Sequence, residues 1–120
     1  MFTAQTLERD RIEQLTSELD VDTVFMILEN FLKECQERLT DMKTAALSKD
    51  FETLAREAHS MKSSSASFGA MQLSELGLKM EQAFRQGQNA EGIKLMDDHL
   101  EDVTKEAIEA LSAWKQEKAA

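Results

Sequence analysis

The chain of 120 residues contains no proline, no tyrosine, one tryptophan, one cysteine and four glycines. With proline absent and glycine scarce, the residues that most often interrupt a helix are nearly missing. Ala, Leu, Met, Glu, Lys and Gln are plentiful, which favours helix and gives no strand signal. The lone Cys35 cannot form an internal disulfide and suits a reducing compartment. It lies within an apolar stripe, so it reads as a small buried hydrophobe and not as a nucleophile. No stretch approaches the roughly 20 apolar residues needed to span a bilayer. The opening residues Met-Phe-Thr-Ala-Gln-Thr-Leu-Glu-Arg-Asp lack the basic start and apolar run of a signal peptide. These features fit a cytoplasmic protein, and the initial methionine with the ragged Lys118-Ala119-Ala120 tail fits a freestanding one.

Positive charge is in short supply, 14 basic against 23 acidic residues for a formal net charge of −9. Such a chain repels nucleic acid and anionic membrane surfaces, which are bound through clustered Lys and Arg. There is no Gly-rich nucleotide loop and no Walker motif, so nothing points to ATP. The two histidines, His59 and His99, both lack a glutamate three residues earlier, so the paired Glu-x-x-His ligands of a di-metal bundle are missing. In Asp97-Asp98-His99 the neighbouring side chains diverge on a helix. Neither a metal nor any other cofactor is expected. The methionines fall mostly on apolar seams and read as core filling.

A chain of this length builds one domain with one modest core. Residues 6–19 read as a short first helix with Leu7, Ile12, Leu15 and Leu19 on its apolar side. From Val24 to Ala46 apolar residues keep the helical period for more than six turns, which predicts a long amphipathic helix over 22–47, capped by Asp20 or Asp22. Asp50 can cap a helix over 50–67 that Gly69 closes. Leu73, Leu76, Met80, Ala83 and Phe84 define a helix over 70–86. Ile93, Met96, Leu100, Val103, Ala107, Leu111 and Trp114 are the seam of a last one over 90–116. Four amphipathic helices joined by short turns pack as antiparallel neighbours. The expected fold over residues 1–120 is therefore all-α: an up-down four-helix bundle with a short N-terminal lid helix, monomeric because no apolar stripe is left over.

The most informative stretch runs from Ala55 to Leu73. Leu54, Ala58, Met61, Ser65 and Phe68 fall within a narrow arc that must face the core. His59 then lies roughly 120° from the centre of that arc, on the exposed flank. Its helical neighbours are Ala55, Arg56, Lys62 and Ser63, with Ala66 one turn further on. The imidazole thus stands over a floor of small side chains with a cation on either side, a shape suited to docking something large. At pH 7 an imidazole keeps a substantial neutral fraction whose lone pair can attack phosphorus. Ser63, Ser64 and Ser65 have no acid–base partner placed for them and read as packing and interface residues.

The segment His59-Ser60-Met61-Lys62-Ser63-Ser64-Ser65-Ala66-Ser67-Phe68-Gly69 resembles the motif of histidine phosphotransfer (HPt) domains, His-x-Leu-Lys-Gly-small-small followed by x-x-x-Gly. His59, Lys62, the small pair Ser64-Ser65 and Gly69 match. Met61 replaces leucine at similar volume, and Ser63 stands where the family usually has glycine. The likeness extends to helix number and chain length. It implies that His59 accepts a phosphoryl group from the phosphoaspartate of a response-regulator receiver domain and passes it to another receiver. A hybrid sensor kinase is a further possible partner. It implies that Lys62 stabilises the phosphoryl group and that Glu81 faces the histidine and orients the ring. It also makes Ala55, Arg56, Ser63 and Ala66 part of the docking surface. The chain would then be a carrier and not an enzyme, with catalysis supplied by the partner. Ser63 leaves a second reading open, in which the same bundle binds a receiver or kinase as a non-phosphorylated adaptor.

Overall fold

The computed structural model describes residues 2–120, and among these there is no β-strand. The helices are α1 (Arg9–Glu18), α2 (Val21–Leu47), α3 (Phe51–Ser67), α4 (Met71–Arg85), α5 (Asn89–Leu95) and α6 (Glu101–Ala119), the last two joined by a π-helical turn, Met96–Leu100. The backbone stays right-handed helical through Leu95 and Glu101, so α5, the wide turn and α6 form one continuous rod. That rod, α2, α3 and α4 make a four-helix bundle, and the chain with its N-terminal segment and α1 measures 45 × 26 × 22 Å.

Local chemistry sets the helix ends. Asp20 accepts the Thr23 N–H at 2.8 Å and starts α2; Asp50 accepts the Thr53 N–H at 3.1 Å and starts α3. Each satisfies a donor that the first turn leaves without a partner. Beyond α3, Gly69 takes φ 81°, a left-handed conformation that costs glycine little. A side chain there would also drive into the carbonyl of Glu8.

The core collects the apolar stripes. Trp114, Ile12, Leu28, Met42, Leu54, Met61, Leu73, Leu76, Met80 and Leu111 are all essentially inaccessible. Burying a side chain of this kind favours folding by about 1.5–3 kcal/mol. These seams hold the helices together, since isolated helices of such length are marginal in water. Cys35 belongs to the same core, 3% exposed, and burial pushes its thiol up to about 11.

Two features depart from the periodic pattern. The first helix begins at Arg9, later than position 6, because the preceding segment is extended and tied down elsewhere. Thr3 and Ala4 donate their N–H groups to Glu75 Oε1 at 3.1 and 3.0 Å. Gln72 N–H bonds Gln5 O at 3.0 Å, and Glu8 N–H bonds Gly69 O at 2.7 Å. This strap and α1 cover the end of the bundle where α3 turns into α4, and Glu13 of α1 accepts the Trp114 indole N–H at 2.9 Å. The second departure is the π turn in the last rod, which also runs past residue 116 to Ala119.

Candidate functional site

The site lies where α3 and α4 come closest. A Cβ on Gly77 would stand 2.9 Å from both Ala58 O and Lys62 N of α3, so only glycine allows this approach without displacement. Ser74, one turn earlier, donates its hydroxyl to Lys62 O at 2.8 Å and fixes the register. One turn after Gly77, Glu81 therefore arrives opposite His59.

Glu81 is the hub. Its Oε2 lies 2.8 Å from His59 Nδ1 and 3.0 Å from Arg85 Nε, while Oε1 accepts from Lys62 Nζ at 2.9 Å. The glutamate side chain is 11% exposed and the imidazole 55%. Burial pushes the Glu81 carboxyl up, but hydrogen bonds from Lys62, Arg85 and His59 together with the Lys62 charge outweigh it, and the group sits at about 2. It is ionised at neutral pH. A carboxylate can only accept, so the bond to His59 requires the hydrogen on Nδ1. In the neutral ring the lone pair is then on Nε2, which has no hydrogen-bond partner among the described residues. The arrangement can present a neutral, oriented imidazole nitrogen to an electrophile arriving from outside, with two cations within one side chain's reach.

Residues 26–114 match the family model of the Hpt domain. The chain belongs to the Hpt domain family. It is similar to the phosphorelay protein LuxU of Vibrio vulnificus strain YJ016, with 32% identity over 83 residues, covering 69% of this chain and 72% of LuxU. LuxU of strain CMCP6 matches to the same degree. The fold resembles the crystal structure of histidine-containing phosphotransfer protein B (HptB) from Pseudomonas aeruginosa PAO1, with a TM-score of 0.87 over 96% of this chain and 98% of HptB at 23% identity.

In this Hpt domain His59, Lys62 and Glu81 are brought together. The other expected neighbours divide. Ser63 is exposed and Ala66 half-buried on the outer side of α3. Ala55 is a correction: it is 4% exposed, part of the core cluster, and it has almost no surface to offer a partner. Arg56 is exposed, but its Nη2 turns to Thr53 Oγ1 at 3.2 Å and leaves Glu81 alone. The second cation at the site is Arg85 of α4, which the sequence reading passed over although it lies four residues from Glu81. His99 packs edge-on against Phe2 with ring centres 5.1 Å apart. Among the described residues no group of three or more His, Cys, Asp or Glu could hold a metal, and no helix is long and apolar enough to cross a membrane.

Proposed function

We propose that this Hpt domain carries the phosphoryl group of its phosphorelay on Nε2 of His59, taking it from the phosphoaspartate of one receiver domain and giving it to another. The observation that carries this reading is the half-exposed ring, tied through Nδ1 to a buried carboxylate and open at Nε2. In the transfer the Nε2 lone pair forms the N–P bond while the P–O bond of the acyl phosphate breaks, its electrons returning to the aspartate carboxylate. The Nδ1 hydrogen stays in place. The ring becomes cationic, and ionised Glu81 faces the new charge. Lys62, 31% exposed and 2.9 Å from Glu81 Oε1, steadies the phosphoryl oxygens by a charge-assisted bond.

The catalytic groups belong to the partner receiver or kinase, and the chain acts as carrier. Arg56, Ser63 and Ala66 border the docking face, a monomer suffices to present it, and a hybrid sensor kinase is a fitting upstream partner in the cytoplasm. Incubation with a phosphorylated receiver should move label onto the chain as an acid-labile, base-stable adduct, and His59→Gln should take up none. Equal labelling of His59→Gln and wild type would overturn the assignment.

A further inference from the structure

Glu81 serves two cations whose tasks differ. Lys62 reaches it from α3 on Oε1, and Arg85 from α4 on Oε2, the oxygen that also receives the imidazole N–H. In the phosphohistidine reading, on which this inference rests, Lys62 has to turn toward an incoming dianion and loosen its hold on Oε1. A carboxylate only 11% exposed would then lose a cation just as negative charge arrives. Arg85 meets that difficulty. It stands on the same helix as Glu81, at i+4, so the pair does not depend on what happens on α3. A guanidinium also offers a rigid fork of donors that suits a carboxylate.

We propose that Arg85 is a positioning residue that holds Glu81 in place and ionised while Lys62 passes from Glu81 to the phosphoryl group on His59. The three donors then have distinct parts. The imidazole N–H needs Oε2 fixed in line with Nδ1, Arg85 fixes it, and Lys62 is the mobile member. The count of formal charge agrees: two cations and one carboxylate leave one positive charge beside the ring, in a chain of net charge −9. The competing explanation is that Arg85 is simply a cation in the last turn of α4, favoured there by the helix dipole. That role is indifferent to what stands at position 81, and this difference makes the two separable.

The test uses potassium phosphoramidate as donor, so no receiver is needed: the Nε2–P bond forms as the donor's P–N bond breaks and ammonia leaves. Uptake and loss are followed by phosphorus NMR for wild type, Arg85→Ala, Arg85→Lys and Arg85→Gln, each with Glu81 and with Glu81→Gln, after circular dichroism has shown each variant folded. Arg85→Ala and Arg85→Gln should slow uptake by about two- to fivefold, the range of a partly exposed ion pair. Arg85→Lys should restore most of it. In the Glu81→Gln background, removing Arg85 should change nothing further. An equal slowing in that background, or no slowing with Glu81 present, overturns the inference. If His59→Gln gains as much phosphorus as wild type, the phosphohistidine reading itself falls. If His59→Gln stays inert while Arg85→Ala matches wild type, only the role of Arg85 falls.

Discussion

Replacing Gly77 by alanine tests the closeness of α3 and α4 through the sign of its effect. In an open helix, glycine to alanine gains about 1 kcal/mol from backbone entropy and propensity. Here the added carbon would lie 2.9 Å from Ala58 O, 2.9 Å from Lys62 N and 3.1 Å from Lys62 Cα. Comfortable contacts of carbon lie near 3.5–4.0 Å, so the helices must part by roughly half an ångström. All three atoms are backbone, and Ala58 O and Lys62 N are the two ends of one i to i−4 hydrogen bond of α3. They cannot turn aside as a flexible side chain would. Overpacking of this kind costs about 1–3 kcal/mol, and set against the propensity gain it leaves a net loss of up to about 2 kcal/mol. Urea unfolding followed by circular dichroism should show an unchanged slope and a midpoint lowered by up to about 2 M, given slopes of about 1–3 kcal/mol per molar. The same displacement lengthens the 2.8 Å His59–Glu81 and 2.9 Å Lys62–Glu81 bonds, so phosphoryl uptake should fall as well. An alanine variant more stable than wild type by about 1 kcal/mol would refute the reasoning, because it would mean that the helices do not touch at Gly77.

Other perturbations follow from the same contacts. Glu81 titrates at about 2 in the folded protein against an ordinary 4.5, so its stabilising contribution is full above pH 4.5 and disappears as pH falls toward 2. The stability gap between wild type and Glu81→Gln, from urea midpoints across pH, should therefore narrow through that window; a constant gap would contradict the depressed carboxyl. Glu75→Ala should release the strap, with loss of hydrogen-exchange protection at Thr3 and Ala4 and destabilisation on the order of 1 kcal/mol; retained protection would show that the carboxylate is not the anchor. Cys35, buried and pushed up to about 11, should ignore a thiol reagent in the native protein and react as one thiol in denaturant. Prompt native reaction would place it outside the core.

The bundle was legible because its signals are local. The stripe Leu54, Ala58, Met61, Ser65 and Phe68 is buried throughout, and Asp20 and Asp50 cap the helices they precede. The extended strap was not legible, since its bonds to Glu75 join residues 71 and 72 positions apart. The π turn left a faint trace. Gly92, Met96, Leu100 and Thr104 are buried at a strict spacing of four. On a regular helix such a row drifts about 40° per step, and a wider i to i+5 turn takes up part of the drift. Ala55 was misplaced: it lies one position after Leu54 of the core stripe and is buried with it.

His59, Lys62 and Glu81 were named in advance, Glu81 through the family likeness, and the missing Arg85 has a physical signature. His59 and Lys62 announced themselves through spacing on one helix, whereas Arg85 stands on α4 outside its apolar row Leu73, Leu76, Met80 and Phe84. Beside that row runs a second at the same period: Ser74, Gly77, Glu81 and Arg85. Its first three members are buried, and each touches or closely approaches α3 or a side chain on it. An apolar row needs only a core to face. A buried row of a hydroxyl, a glycine and a carboxylate needs specific partners, because an unpaired buried polar group is costly. Here those partners are the Lys62 carbonyl, the backbone of α3 and the imidazole of His59. A polar row in register with an apolar one therefore marks the helix edge that serves the site, and Arg85, at the exposed end of that row, is where its charge meets the solvent.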